Sequence, residues 1–363
     1  MRADAVVVGA GLAGSAAAWA LTRRGRDVVL LEAFEPGHRR GSSHGSARVF
    51  RRAYPDPLYV RLTGAAWTLW RELCDEAGEE LLRVTGGLDF GASPVPERMY
   101  ALLAAQGVPA ELLPPGAAAE RWPAFAFGDH PVLFHPGGGV IDAERAMAAM
   151  QRLAAARGAL IRHGTPVTAL GPGGVVHTAD GSFEAPAVVI AAGAWLEPLL
   201  GAQVRLPQLA VTQTQYFHFR AAPGEDWPTF ICHGDAAPMY GLPAGRDGEV
   251  PGTIKVGAHG EGTITTAGAR DGVVSQVARD RARQFVMTHV PGLEPAVAGE
   301  MTCLYTSTAS EDFILDRRGP FVVCAPCSGH GAKFAPLTGE IVADLADGRG
   351  QAEPRFTLAA HLR

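Results

Sequence analysis

The chain has 363 residues, enough for two domains, and an apolar fraction of 47% that suits a globular protein. A net charge of −5 gives no electrostatic footprint for nucleic acid, and no apolar run reaches membrane-span length. Five cysteines in so long a chain make no disulfide framework, and no secretory leader precedes the first apolar run, so a reduced, cytoplasmic protein is expected. The first elements read as a βαβ unit: a strand at Ala5–Val8, a glycine turn from Gly9 to Gly14, a helix over Ser15–Arg24 closed by Gly25, and a second strand at Val28–Leu31 ending on Glu32. A polar loop, Pro36 to Ser46, follows, then a helix near Leu58–Ala77 anchored by Trp67, Leu69, Trp70 and Leu73.

Further along, Thr85–Phe90 reads as a strand, and residues 91–138 as an irregular, Pro-rich region with one helix near Pro96–Gln106. Asp142–Arg157 is an amphipathic helix with Met147, Met150, Leu153 and Ala154 on one face. A buried strand at Val188–Ala191 runs into Gly193 and Trp195. Alternation from Leu206 to Met301 predicts an antiparallel sheet with long loops, and Phe321–Ala325 and Gly331–Leu345 read as a last strand and helix. The fold class is therefore α/β. A Rossmann-type nucleotide domain (1–84, 139–205, 302–363) is interrupted by an α+β substrate domain on an antiparallel sheet (85–138, 206–301).

Gly9-Ala10-Gly11-Leu12-Ala13-Gly14 follows a strand, opens a helix and meets an acid, Glu32, at the end of the next strand. That context makes it a dinucleotide fingerprint. Gly9 allows the tight turn, Gly11 lets backbone approach a pyrophosphate, and Gly14 permits close helix packing, while Glu32 is placed for ribose hydroxyls. The layout favours FAD over NAD, because a long Gly/Ser/Arg loop, Gly41 to Arg52, leads away from the fingerprint as if along an extended cofactor. Composition adds one more signal. Of 32 basic residues only two, Lys255 and Lys333, are lysines. A chain so biased to arginine keeps an ammonium where a compact point charge serves better than a guanidinium fork.

Several ordered blocks, covering nearly the whole chain, resemble the monomeric sarcosine oxidase and N-methyltryptophan oxidase group within the D-amino-acid-oxidase-like flavoproteins. They are Gly41-Ser42-Ser43-His44-Gly45-Ser46-Ala47-Arg48 with Arg51, Thr85-Gly86-Gly87-Leu88, Ala192-Gly193-Ala194-Trp195, Cys303-Leu304-Tyr305-Thr306, Phe313-Ile314-Leu315-Asp316 and Ser328-Gly329-His330-Gly331-Ala332-Lys333-Phe334. The resemblance implies FAD linked covalently through Cys303. It puts Ser42, His44, Arg48, Val167, Gly193, Trp195, Gly329, His330, Gly331 and Lys333 around that cofactor. It makes Lys255, in Lys255-Val256-Gly257-Ala258-His259, the cation that activates O2, and pairs Arg51 with Lys333 on a substrate carboxylate. Tyr240 and Tyr305 line the substrate cavity, and His259, which alone reads as a structural histidine, lies near the amine. The implied reaction is oxidation of a secondary or cyclic amino acid to an imine, with O2 reduced to hydrogen peroxide, by a monomer that needs no metal.

Other readings stay open on sequence alone: a flavin dehydrogenase that passes electrons to a carrier, an NAD-dependent dehydrogenase, and a biosynthetic tailoring enzyme acting on a larger or cyclic amine. Cys324 and Cys327 form a CxxC pair, read as packing residues because no second pair exists to complete a zinc site. Two departures from the family pattern, a charged Gly/Pro-rich stretch from Ala244 to Gly252 and the small Ala258, are expected to reshape the amine end of the pocket.

Overall fold

The computed structural model describes residues 1–91, 94–222, 226–234, 237–247 and 250–362. Strands Ala5–Val8, Val28–Leu31 and Ala187–Ile190 are buried at every position, as strands are when helices cover both faces of a parallel sheet. They form the middle of a six-stranded sheet ordered 314–318, 321–325, 187–190, 5–8, 28–31, 160–162. Every pairing is parallel except the hairpin between Ile314–Arg318 and Phe321–Ala325. Ala5 lies opposite both Ala187 and Val28, so the turn after Val8 opens at the carboxyl edge of the sheet, where open α/β sheets bind ligands.

Helix Leu12–Arg23 begins at that turn and packs against helices Ala143–Ala156 and Ala335–Asp347. Its buried face includes the small residues Gly14, Ser15, Ala16, Ala17, Ala18 and Ala20, and a Cβ at Gly339 would meet the Ala16 carbonyl oxygen at 2.5 Å; small residues let the two backbones come together. Helix Pro57–Ala77 starts on Asp56, whose carboxylate accepts from the Leu58 N–H at 2.8 Å, and ends at Gly78 in the left-handed conformation, φ 67°. Asp142 caps helix Ala143–Ala156 in the same way.

The second domain is a nine-stranded sheet reaching from Thr263–Ile264 across Ala210–Ala221, Thr253–Ala258, Met239–Pro243, Thr229–His233, Gly87–Gly91 and Val132–His135 to Glu111–Leu113, with Leu293–Ser307 alongside Ala210–Ala221. It is antiparallel except where Thr229–His233 runs parallel to Gly87–Gly91. Three features depart from the sequence reading. Part of the region read as irregular, 91–138, folds as strand Val132–His135, edge strand Glu111–Leu113 and a short helix, Pro115–Arg121. Helix Gln276–His289 sits where only strands were expected. Its buried stripe is just Ala282, Phe285 and Val286, too narrow to stand out in a charged segment. The last helix, read as starting at Gly331, opens with a 3₁₀ turn, Gly331–Phe334, and becomes α-helical only at Ala335. No helix among the described residues is long and apolar enough to cross a membrane.

Candidate active site

One cavity of about 1320 Å³ runs from the carboxyl edge of the parallel sheet to the inner face of the second sheet. It is lined by Gly9, Gly11, Glu32, Ser42, His44, Arg48, Val167, Gly193, Trp195, Cys303, Gly329, His330 and Gly331, and by Arg51, Tyr240, Lys255, His259, Tyr305 and Lys333. Gly14 alone of the expected residues stands behind the wall.

The first end of the cavity has the shape of a dinucleotide cradle. Gly9 is at φ 98°, and a Cβ on it would meet the Ala191 carbonyl oxygen at 2.5 Å. A Cβ on Gly14 would strike the Gly9 carbonyl oxygen at 1.8 Å, so the helix closes on the turn only without one. Ser43 adds to this turn from the long loop, its hydroxyl accepting from the Leu12 N–H at 3.1 Å. Glu32 accepts from the Ala10 N–H at 2.7 Å and from the Phe34 N–H at 3.1 Å. Its carboxylate thus ties the fingerprint turn to the second strand while facing the cavity.

Beyond the cradle, Arg48 donates to the carbonyl oxygens of Ser42 at 2.9 Å, His44 at 2.5 Å and its neighbour Ala47 at 2.8 Å, folding the loop round its own guanidinium. His44 is buried and both ring nitrogens lack a protein partner; burial, with Arg48 and Lys255 nearby, drives its pKa down to about 3. A neutral imidazole with unspent hydrogen-bonding capacity on the cavity wall fits a polar cofactor ring. Cys303 is buried on strand Leu293–Ser307 at the same wall. The cradle, the orphaned His44 and this thiol together fit FAD.

The second end carries the charge. Arg51 pairs with Asp89 at 3.0 Å and lies over the Tyr54 ring. Asp89 also accepts from His233 at 2.9 Å, and the His135 ring nitrogen is 3.7 Å away. Burial alone would raise the Asp89 pKa; the His233 hydrogen bond and the Arg51 charge outweigh it and hold the carboxyl below its ordinary range. Lys333 donates to the His330 carbonyl oxygen at 2.7 Å, and burial, with Arg51 adding repulsion, depresses its pKa well below the usual lysine range. Opposite, Lys255 pairs with Asp247 at 2.9 Å and stands 3.7 Å from the centre of the Tyr216 ring. Burial and the Arg48 charge push its pKa down to about 8.

Tyr240 and Tyr305 are close enough to interact, and burial pushes the Tyr240 hydroxyl up to about 12. His259 approaches Glu311 at 3.8 Å and tilts against the Tyr305 ring. His330 sits between the Tyr54 hydroxyl, 3.2 Å from Nδ1, and the Glu311 carbonyl oxygen, 3.0 Å from Nε2. The turn before it holds Ser328 at φ 46° and Gly329 at φ 74°, and a Cβ at Gly329 would strike Tyr305 at 2.3 Å. The backbone there is pressed against the tyrosine. Cys324 and Cys327 are both unbridged, and Cys327 accepts from the Thr306 N–H at 3.4 Å.

Two expectations need correcting. Ala258 does not reshape the cavity. On its strand Lys255, Gly257 and His259 face inward, and the period-two alternation turns Ala258 to the opposite face, against the second apolar core. Within the stretch from Ala244 to Gly252, residues 248 and 249 lie outside the described residues. The rest does not bear on the amine end; Asp247 reaches under the loop at Ser46 and Ala47, behind Lys255.

Sequence reasoning also missed Asp89, His233, Tyr54, Tyr216, Glu311 and Asp247. Asp89 had a signal, a carboxylate inside the apolar strand Gly87–Gly91. Asp247 had none, because nothing local tells a paired loop carboxylate from a solvated one.

Comparison with known proteins agrees with this geometry. The model of the family described as FAD dependent oxidoreductase matches residues 4–345. This chain belongs to the FAD-dependent oxidoreductase family. It is 34% identical to human peroxisomal sarcosine oxidase, over 94% of this chain and 92% of that protein. It is 33% identical to monomeric sarcosine oxidase of Streptomyces avermitilis, over 94% and 93%. Among solved structures it is similar to NikD, titled an unusual amino acid oxidase essential for nikkomycin biosynthesis, with a TM-score of 0.85, 29% identity and coverage of 98% and 96%. The chain is an FAD-dependent oxidoreductase of the sarcosine oxidase type, acting on the CH–NH group of its donor.

Proposed function

We propose that this FAD-dependent oxidoreductase oxidises a small secondary or cyclic amino acid to its imine and returns the electrons to O2 as hydrogen peroxide. The observation that carries the reading is the convergence of Arg51 and both lysines of the chain on one cavity. When bound, FAD supplies the two-electron acceptor; Gly9, Gly11 and Glu32 would hold its nucleotide half, and Ser42, His44, Arg48, Cys303 and the Gly329–Gly331 turn its ring.

The substrate carboxylate docks on Lys333 and Arg51. Lys333 is the stronger attractor, because a buried ammonium whose hydrogen-bond acceptor is a carbonyl oxygen gains most from an incoming anion. Tyr240, Tyr305 and His259 close the amine end and exclude water, holding the reacting C–H in one orientation. The amine loses two electrons and two protons, one from carbon and one from nitrogen, as its CH–NH becomes C=N. O2 takes two electrons and two protons to become hydrogen peroxide, with Lys255 as the fixed cation that favours charge on the oxygen. The imine hydrolyses in water or persists if cyclic.

A panel of N-methyl amino acids, proline and pipecolate, scored for peroxide, tests the reading. One peroxide per amine consumed supports it, whereas turnover only with an artificial electron carrier overturns the oxidase assignment. Covalent attachment at Cys303 predicts that yellow colour stays with acid-precipitated protein and is lost to the supernatant in Cys303→Ser. The reading includes a cytoplasmic monomer with the domain bounds given above, in keeping with five unpaired cysteines and with the printed name of the Streptomyces relative.

Similarity to NikD favours one alternative, a tailoring enzyme that acts on a larger or cyclic amine in biosynthesis. A panel in which only bulky cyclic substrates turn over would select it.

A further inference from the structure

The loop between Tyr240 and Lys255 delivers one buried carboxylate to the back of the cavity wall. Asp247 is 6% exposed and lies 2.9 Å from the Lys255 ammonium. Its remaining contacts all go to the loop that also carries His44 and Arg48. The Ser46 N–H donates to one oxygen, and the Ala47 N–H donates to the other at 3.3 Å. A Cβ at Gly45, which is at φ 85°, would meet that carboxylate at 2.7 Å, so the loop bends tightly round it. Lys255 lines the cavity and Asp247 does not. The carboxylate stands behind the lysine, pressed between it and the backbone.

We propose that Asp247 is a positioning residue for the oxygen step: it keeps Lys255 protonated and aimed into the cavity, while two backbone N–H groups absorb the carboxylate's remaining charge. The proposal rests on the reading of Lys255 given above. Among the described residues, the groups around that ammonium are Arg48, His44, His218, Tyr216, Tyr240, Cys303 and Asp247. Arg48 opposes its charge, and His44 and His218 are themselves held neutral, with pKa values near 3 and 4. Asp247 is the single carboxylate in that set, and Lys255, Arg48 and the Ser46 N–H hold its own pKa at about 2 against the upward push of burial. Without it, a lysine already lowered to about 8 would deprotonate at neutral pH.

With only two lysines in the chain, a Lys333→Met background carrying ¹³Cε-labelled lysine reports Lys255 alone. The expected result is a titration midpoint near 8, falling by about two pH units when Asp247→Asn is added and restored by Asp247→Glu. In stopped-flow measurements on the flavin-loaded protein with native Lys333, Asp247→Asn should slow reoxidation by O2 about tenfold at neutral pH, with recovery as the pH is lowered, and should change anaerobic reduction by the amine less than about twofold. Added to Lys255→Met, it should change nothing further. An unmoved midpoint, or faster reoxidation, overturns the proposal. Should Asp247→Asn not accumulate as folded protein, Asp247→Ser carries the same titration. If Lys255→Met reoxidises as fast as the parent, the reading of Lys255 fails; if that variant is slow while Asp247→Asn is silent, only the role of Asp247 fails.

Discussion

The two lysines line the same cavity and are held differently. Lys255 has an aspartate 2.9 Å away, buried with it. Lys333 has a carbonyl oxygen 2.7 Å away and, among the described residues, no carboxylate within ion-pair distance. A buried ammonium that already owns its counter-ion stays charged before any anion arrives. A buried ammonium without one bears the cost of burial alone, and burial with the Arg51 charge lowers its pKa. On the proposed function, chemically identical side chains are thereby divided into a permanent charge for the oxygen step and a docking point for the substrate.

Four experiments can break this division. Lys333→Met removes the docking charge, and KM for carboxylate-bearing amines should rise roughly 10²–10³-fold while reoxidation by air is kept. Steady-state kinetics at varied amine check this, and an unchanged KM would show that Arg51 alone holds the substrate. Lys255→Met should do the reverse: normal anaerobic bleaching by amine, and reoxidation slower by about 10²-fold in stopped flow. If bleaching suffers instead, the two roles are not separable.

The third is a pH profile. Because burial lowers the Lys255 pKa to about 8, its cation is present below that pH and lost above it. Reoxidation should therefore decline by about tenfold per pH unit beyond the midpoint, and Lys255→Met should flatten the curve. The smallest effect is expected at Ala258. Ala258→Val should leave the amine KM within about twofold, with any cost appearing in thermal stability, since overpacking a core costs about 1–3 kcal/mol. A changed KM would mean that the strand face is misassigned.

Much of this architecture was legible in the residues. The βαβ unit announced itself because each of its demands (continuous apolar strands, glycines at fixed offsets, an acid closing the second strand) is local in sequence. The scarcity of lysine marked two cations of the cavity wall, Lys255 and Lys333. What escaped was long-range pairing. Asp89 meets Arg51 across 38 positions, and Asp247 meets the Ser46 backbone across 201. Ala258 was misjudged by its neighbours: sitting between Gly257 and His259, it shares a motif with cavity residues, but the pleat points it the other way. Helix Gln276–His289 was hidden by charge, since a three-residue buried stripe fixes it to the sheet.

Strand Leu293–Ser307 has a mechanical consequence. Over 15 residues, roughly 50 Å of extended backbone, it begins in the apolar core of the second sheet at Leu293 and ends beside the loop that carries His44 and Arg48, with Cys303 and Tyr305 on the cavity wall. It stays hydrogen-bonded to Ala210–Ala221 almost throughout. Such a strand works as a tie rod. Unfolding the cavity wall that carries Cys303 and Tyr305 would mean unzipping this ladder, so hydrogen exchange along it should report a single cooperative opening event.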